Sequence, residues 1–222
     1  MRLVTMVTPG LWTPLVVMHW WAASMTTHSV RISRRILDRY LLDAAVTQID
    51  LPGGAPRQIT NYEDNVAFVR WSPAGFLVFG KAKGGDENTQ FFWMKEDGTG
   101  VRELTADPKV RHNFGELSQD GKTIYYASNK RNPQFFDLYS MDAETGKETL
   151  IYQHDGNNNF AAVNDSGSKF VVSRDGTELS LDNNLYLIDA RNKTETLLTP
   201  HTGAAQFGGV NFVADGIVFA HN

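Results

Sequence analysis

Apolar and polar residues alternate along most of the chain in short runs that are separated by turn-forming residues. The clearest example surrounds Gln119–Lys122, where Gly121 suits a tight turn because glycine adopts positive φ without steric cost. Period-two alternation rich in β-branched and aromatic residues predicts strands. The pattern here predicts four of them, A to D, at Asn113–Ser118, Thr123–Ser128, Phe136–Met141 and Glu148–Tyr152.

Three landmarks repeat along the chain in one register of about 46 residues. The first is the glycine that ends a turn, at Gly75, Gly121, Gly167 and Gly216. The second is an apolar residue followed by a charged one, at Ile49-Asp50, Met94-Lys95, Met141-Asp142 and Ile188-Asp189. The third closes strand D, at Gln58–Thr60, Glu103–Thr105, Leu150–Tyr152 and Leu197–Thr199. Coinciding landmarks of this kind indicate an internal repeat.

A repeat of four antiparallel strands every 40 to 50 residues is the pattern of a β-propeller blade. We therefore predict an all-β fold, a β-propeller with four-stranded antiparallel blades. A β-sandwich is the competing fold, but it predicts no such register. The repeat places three whole blades in residues 65–199, strands C and D of another in 44–60, and strands A and B of another in 206–220. About four blades are therefore present; the two halves pair into a fourth blade, or the ring is partial and the chain a fragment of a longer propeller.

The first 25 residues differ in composition from the rest. We assign residues 1–43 to an N-terminal leader or irregular, short helical segment and residues 44–222 to a partial β-propeller domain. Arg2, the apolar run Leu11–Ala23 and the small residues after it fit a weak secretory signal. A propeller strand remnant and a misplaced start codon remain alternatives. Within Ser33–Ala45 the apolar spacing predicts a short helix. Localisation, whether periplasmic, secreted or cytoplasmic, stays open.

The repeat resembles two groups of propellers. Its characteristic residues are Leu104-Thr105, the turn Asp120–Lys122, the stretch Ala127–Arg131 and Asp137–Tyr139. They are similar to the propeller of prolyl-oligopeptidase-like (S9-type) serine peptidases and also to the periplasmic propeller of the Tol system. The resemblance covers residues 44–220.

The peptidase resemblance implies a propeller that screens an α/β-hydrolase domain and gates or docks peptide substrate. Such a hydrolase carries a Gly-x-Ser-x-Gly motif, which is missing from these 222 residues. No catalytic residue is therefore assigned, and the chain is expected to be inactive alone. The implied partners are peptide substrate and the missing hydrolase domain. The alternative is a free-standing Tol-like propeller that serves as a scaffold for a protein partner.

Composition and charge exclude several other classes. The formal net charge is -4 and no long basic run occurs, which argues against nucleic-acid binding. The chain has no cysteine, so neither disulfides nor thiolate metal sites are possible. No uninterrupted apolar run reaches the roughly 20 residues that a membrane span needs.

Strand order places the A–B and C–D turns at one end of every blade and the B–C and D–A connections at the other. The long connections all belong to the second end, and we call it the long-loop face. The predicted B–C loops are 81–89, 129–134 and 174–183, and the predicted D–A loops are 106–112, 153–159 and 200–206. Because long loops frequently carry function, the candidate residues of this face are Asn129, Lys130, Arg131, His112, His154 and His201.

Two metal-site hypotheses are weak, and no metal or cofactor is assigned. Asp155–Asn159 and Asp182–Asn184 offer oxygen ligands that suit Ca²⁺, but Asn, Asp and Gly are also ordinary turn residues. The three loop histidines lack the local pairing typical of zinc sites. A propeller glycosidase with two loop carboxylates is a further alternative, which sequence spacing does not resolve.

Overall fold

The computed structural model describes residues 2–6, 46–50, 55–84, 86–176 and 181–222. Within these residues the regular secondary structure is entirely β-strand, arranged in five sheets. An all-β fold with four-stranded sheets is what the sequence predicted. The short helix predicted within 33–45 lies outside the described residues.

Three sheets are complete four-stranded blades. Blade I contains β4 Val66–Ser72, β5 Phe76–Lys81, β6 Gln90–Lys95 and β7 Arg102–Glu103. Blade II contains β8 His112–Leu117, β9 Thr123–Asn132, β10 Phe135–Asp142 and β11 Glu148–Tyr152. Blade III contains β12 Asn158–Val163, β13 Lys169–Asp175, β14 Asn183–Asp189 and β15 Thr194–Leu197.

Two smaller sheets lie before and after the blades in sequence. The N-terminal sheet has the order β1–β2–β3, with strands Arg2–Met6, Val46–Asp50 and Arg57–Gln58. The C-terminal hairpin pairs β16 Phe207–Val213 with β17 Gly216–His221. Strands C and D at 44–60 and strands A and B at 206–220 are thus confirmed. Arg2–Met6 is a strand, and the domain boundary after residue 43 stays a prediction because residues 7–45 are not described.

By its internal contacts the chain forms two compact units. Unit 1 comprises residues 1–71, 75–86 and 91–103, and it holds the N-terminal sheet and most of blade I. Unit 2 comprises 72–74, 87–90 and 104–222, and it holds blades II and III and the C-terminal hairpin.

The core of unit 1 joins the N-terminal sheet to blade I. Val46, Val66, Leu77 and Met94 are fully buried or nearly so. Phe79 stacks on Tyr62 at 5.7 Å and on Phe92 at 5.2 Å between ring centroids, so one buried ring links the elements of this core.

In unit 2 the core lies between the faces of successive sheets. Ala127 and Leu138 of blade II pack against Phe170, Val172 and Ile188 of blade III. The opposite face of blade III presents Ala162, Val171 and Leu185 to Val210 of the hairpin. Blade III therefore buries both of its faces, which a single four-stranded sheet cannot do alone. Burying a side chain such as Phe170 contributes roughly 1.5–3 kcal/mol.

The threonine of the third landmark has a structural role in two repeats. Thr60 Oγ1 accepts a hydrogen bond from the backbone N–H of Val46 at 2.8 Å. Thr199 Oγ1 accepts one from Leu185 at 2.9 Å, across the same sequence separation of 14 residues. The hydroxyl joins the end of strand D to the beginning of strand C, which explains why threonine recurs there.

The landmark glycines differ in how closely they are packed. Gly75, Gly121 and Gly167 have φ of 87°, 74° and 65°, as the predicted turns require. A methyl group on Gly121 would lie 2.1 Å from Ser72 Oγ and 2.6 Å from Pro73 Cδ, whereas nothing lies within 4 Å of one on Gly75. Ser72 also donates to the Gly121 carbonyl at 2.9 Å.

We expect Gly121→Ala to lower the free energy of unfolding by about 3 kcal/mol, since strain at positive φ adds to overpacking. Gly75→Ala is the matched control and should cost only the backbone strain, about 1 kcal/mol. Urea denaturation of the full chain measures both losses, and equal losses would contradict the close packing of the Gly121 turn.

Candidate functional site

The connections at the long-loop face are of unequal length. The D–A segments of unit 2 cover residues 104–111, 153–157 and 198–206. Residues 82–89 connect β5 to β6, and 176–182 connect β13 to β14. The B–C connection of blade II is different, because β9 and β10 are separated only by Pro133-Gln134.

The predicted loop at 129–134 is therefore wrong. Asn129, Lys130 and Arg131 belong to strand β9, and Asn132 pairs with Phe135 across the tight turn. A run of polar residues is typical of a loop. Here the strand continues because Lys130 pairs with Glu148 and Arg131 pairs with Asp137, partners that the local sequence did not indicate.

Arg131 anchors a polar network in this part of unit 2. Its Nε and Nη2 donate to the two carboxylate oxygens of Asp137 at 2.6 and 2.9 Å, and its Nη1 donates to Asp155 at 2.9 Å. Asp137 is fully buried, while 29% of the Arg131 side chain is exposed. The hydrogen bonds to Asp137 and then to Asp155 raise the pKa of Arg131. The network holds the D–A segment, since Asp137 also accepts from the backbone N–H of His154 at 3.3 Å.

His112 is not a loop residue, contrary to the prediction. It begins strand β8 and is only 4% exposed. Its ring packs against Tyr126 at 5.8 Å, and its Nδ1 lies 3.2 Å from the Thr89 carbonyl oxygen. Burial lowers the pKa of His112 from 6.5 to about 4. A buried position of this kind suits a core role.

His154 and His201 do lie in D–A segments, and each has separate partners. His154 stacks on Tyr152 at 6.1 Å, and its Nδ1 lies 2.6 Å from the Asp155 carbonyl oxygen. The described residues contain no group of three or more His, Asp or Glu side chains that could hold a metal ion. The structure thus does not bring the three histidines together.

The amides of the predicted Ca²⁺-binding stretch are used to join blades. Asn158 donates to the carbonyl oxygens of Phe136 at 2.9 Å and of His154 at 2.8 Å. Its own oxygen accepts from Arg174 Nε at 2.8 Å. Asn158 is fully buried, so this side chain connects blade II to blade III.

A polar residue near the start of strand C braces the neighbouring D–A segment, or the first residue of the strand that follows it, in each blade. Gln90 donates to the carbonyl oxygens of Asp107 and Val110 at 2.8 and 2.9 Å. Asp137 accepts from His154, and Asn183 both donates to and accepts from the backbone of Phe207 at 2.9 and 2.7 Å. Sequence reasoning missed these braces, although polar residues about 47 positions apart were a signal that could have found them.

The long-loop face carries a cavity of about 750 Å³ between blade III and the C-terminal hairpin. Its walls come from the described ends of the B–C connection of blade III, at residues 175–176 and 181–183, from the start of β16 and from the end of β17. The lining side chains that offer charge, hydrogen bonds or an aromatic ring are Asp175, Asp182, Asn183, Gln206, Phe207, His221 and Asn222. None of them was among the six candidate residues of the long-loop face, although Asp182 and Asn183 belong to one of the two stretches considered for Ca²⁺.

One predicted residue, His201, supports the wall of this cavity. Its Nε2 lies 2.9 Å from Asp182 Oδ1, and its Nδ1 lies 2.7 Å from the Thr199 carbonyl oxygen. Both partners are acceptors, so both ring nitrogens donate only in the protonated imidazole. The Thr199 carbonyl and the Asp182 carboxylate accordingly raise the pKa of His201. The Ala205 N–H and His201 lower the pKa of Asp182, which keeps this wall anionic.

The chain matches no protein-family model and no curated protein, but solved structures share its fold. A putative TolB from Agrobacterium tumefaciens is 18% identical with a TM-score of 0.59, over 82% of this chain and 65% of that one. Oligogalacturonate lyase in complex with manganese is 21% identical with a TM-score of 0.53, over 68% and 41%. A structure from a study of two prolyl endopeptidases is 14% identical with a TM-score of 0.56, over 75% and 25%.

These similarities establish the fold. The chain is a β-propeller like those of TolB and the prolyl endopeptidases, in agreement with the resemblance predicted from the repeat. It spans less than two thirds of the length of each of the three structures. Among the described residues no helix is long and apolar enough to cross a membrane.

Substitutions in the Arg131 network test whether the Arg131–Asp137 ion pair contributes more to stability than the Arg131–Asp155 pair. Arg131→Met leaves the fully buried Asp137 carboxylate without its cation, whereas Asp155→Asn leaves the Arg131–Asp137 pair intact. We expect Arg131→Met to lower the free energy of unfolding by roughly twice as much as Asp155→Asn, or more. Urea midpoints of the two variants measure the ratio, and similar midpoints would contradict a buried ion pair.

His112 should make the chain sensitive to acid. Because its pKa falls from 6.5 to about 4 on folding, the unfolded chain binds a proton in this window that the folded chain does not. Stability should therefore fall as the pH drops from 6.5 to 4, by about 3 kcal/mol at most.

His112→Gln should remove this part of the pH dependence, because glutamine does not titrate. His154→Gln, in an exposed D–A segment, is the control and should leave it in place. Thermal melts between pH 7 and 4 measure the dependence, and identical profiles for wild type and His112→Gln would refute the assignment.

Proposed function

We propose that this chain is the non-catalytic propeller portion of a prolyl-oligopeptidase-like serine peptidase, and that its long-loop face docks or gates polypeptide for an α/β-hydrolase domain. The observation that carries the proposal is the cavity of about 750 Å³ at that face. Ligand pockets commonly have volumes of roughly 300–1,000 Å³, so a few residues of an extended peptide fit.

The surroundings of the cavity favour binding over catalysis. Both ring nitrogens of His201 are occupied by Asp182 and the Thr199 carbonyl, so neither remains to take a proton from a nucleophile. The D–A segments are braced by Gln90, Asp137 and Asn183. Loops held in this way lose little conformational entropy when a ligand binds.

A second candidate is a Tol-like scaffold that binds a folded protein partner. It is favoured by the extent of the TolB similarity, which covers 82% of this chain at a TM-score of 0.59. The coding region beyond Asn222 discriminates the two. A downstream α/β-hydrolase domain with Gly-x-Ser-x-Gly supports the peptidase assignment, and a stop codon supports the scaffold.

Site-specific photocrosslinking tests docking at the cavity. A benzophenone amino acid in place of Gln206, an exposed lining residue, should crosslink a set of N-acetylated dodecapeptides of varied sequence. The same group in place of Lys147 is the control, because Lys147 is exposed in a C–D turn at the opposite end of blade II.

Crosslinking at position 206 that exceeds the control and is competed by unlabelled peptide is the expected result. Equal labelling at the two positions, or none at either, would refute peptide docking at the long-loop face.

A further inference from the structure

The cavity at the long-loop face has an anionic wall. Asp175 and Asp182 both line it. Gly176 follows Asp175 directly, and the Asp182 carboxylate occupies the position where a Gly176 side chain would lie, 2.2 Å from an ideal Cβ. The Gly176 N–H also donates to the Asp182 carbonyl oxygen at 2.8 Å. The two acids are therefore held on one wall.

Both carboxylates are oriented by neutral or positively charged donors outside the cavity lining. Asp182 Oδ1 accepts from the Ala205 N–H at 3.0 Å and from His201 at 2.9 Å. Asp175 Oδ2 accepts from the Asn157 amide at 2.5 Å. Among the described residues that line the cavity none is lysine or arginine, so His201 is the partner that offsets part of this charge.

Phe207 adds an aromatic surface to the same cavity. Its ring lies 5.2 Å from that of His201 and 6.0 Å from those of Phe219 and His221. Asn183 hydrogen-bonds its backbone at both N–H and C=O, which fixes the position of the residue.

Elsewhere in the chain a carboxylate and an aromatic ring together contact a basic side chain. Lys130 lies 4.2 Å from the Tyr139 ring centroid and pairs with Glu148. Arg174 lies 4.1 Å from the Tyr186 ring centroid and pairs with Glu195 at 3.2 Å. In blades II and III a cation is therefore held by both an aromatic face and a carboxylate, and both attractions are favourable.

The cavity lining itself contains carboxylates and an aromatic ring but no lysine or arginine; His201 lies outside the lining and contacts only Asp182 Oδ1, so Asp182 Oδ2 and Asp175 have no cationic partner among the described residues. We propose that this cavity accepts the ammonium or guanidinium group of a lysine or arginine side chain, so that peptides with a basic residue bind preferentially. This inference rests on the proposed polypeptide docking. Asp175 and Asp182 supply the charge, and Phe207 supplies the aromatic contact.

The test measures fluorescence anisotropy with the full chain and four labelled peptides of one sequence. The peptides carry Arg, Lys, norleucine or Glu at the central position, and all have acetylated and amidated ends, which removes the terminal amine as a competing cation. We expect Arg and Lys peptides to bind about tenfold more tightly than the norleucine peptide, with the Glu peptide weakest. Raising the salt concentration should reduce the difference in affinity between the basic peptides and the norleucine peptide, because salt screens charge–charge attraction.

Substitutions identify the carboxylates. Asp175→Asn and Asp182→Asn keep an oxygen that accepts the Asn157, Ala205 and His201 hydrogen bonds, and each should weaken Arg-peptide binding about threefold or more while norleucine-peptide binding stays unchanged. Asp215→Asn, an exposed aspartate in the turn between β16 and β17, is the matched control and should change neither. Thermal melts verify that the Asp182 variant is folded.

The outcomes separate the two proposals. Equal affinity for all four peptides leaves polypeptide docking intact and overturns the basic preference, as does a preference that survives both Asn substitutions. Failure of every peptide to bind overturns both.

Discussion

The packing of one sheet face against the next is the constraint on which unit 2 depends. A four-stranded sheet has two apolar faces and cannot bury either within itself. Phe170 and Val172 on one face of blade III meet blade II, while Val171 and Leu185 on the other face meet the C-terminal hairpin. Strand alternation produces this two-sided burial, because neighbouring residues along β13 point to opposite faces.

Polar side chains determine the structure where the apolar faces end. The Arg131–Asp137 pair, Asn158 and Asn183 hold the D–A segments to strand ends and to neighbouring sheets. Their hydrogen bonds pair backbone N–H and C=O groups of these segments. The same bonds give the long-loop face a defined geometry, and the cavity lies in that face.

Docking at such a surface needs charge and shape rather than catalytic groups. The histidines that a sequence reader would examine first are used in packing and bracing: His112 is buried against Tyr126, and His201 joins Thr199 to Asp182. The polar and aromatic side chains that line the cavity are carboxylates, amides, Phe207 and His221. This division of roles is the basis on which we propose polypeptide docking at the long-loop face.

The sequence by itself determined the repeat, the strand order and the turns, because these depend on local alternation and on glycine at positive φ. Gly75, Gly121 and Gly167 adopt that conformation, and β11 has the predicted bounds. Only the tertiary structure decided which polar residues are available. Lys130 and Arg131 form part of a strand and His112 lies in the core, since their partners Glu148, Asp137 and Thr89 are distant in sequence. The cavity needs three segments, around Asp175, Phe207 and His221, to converge, and no local pattern encodes that convergence.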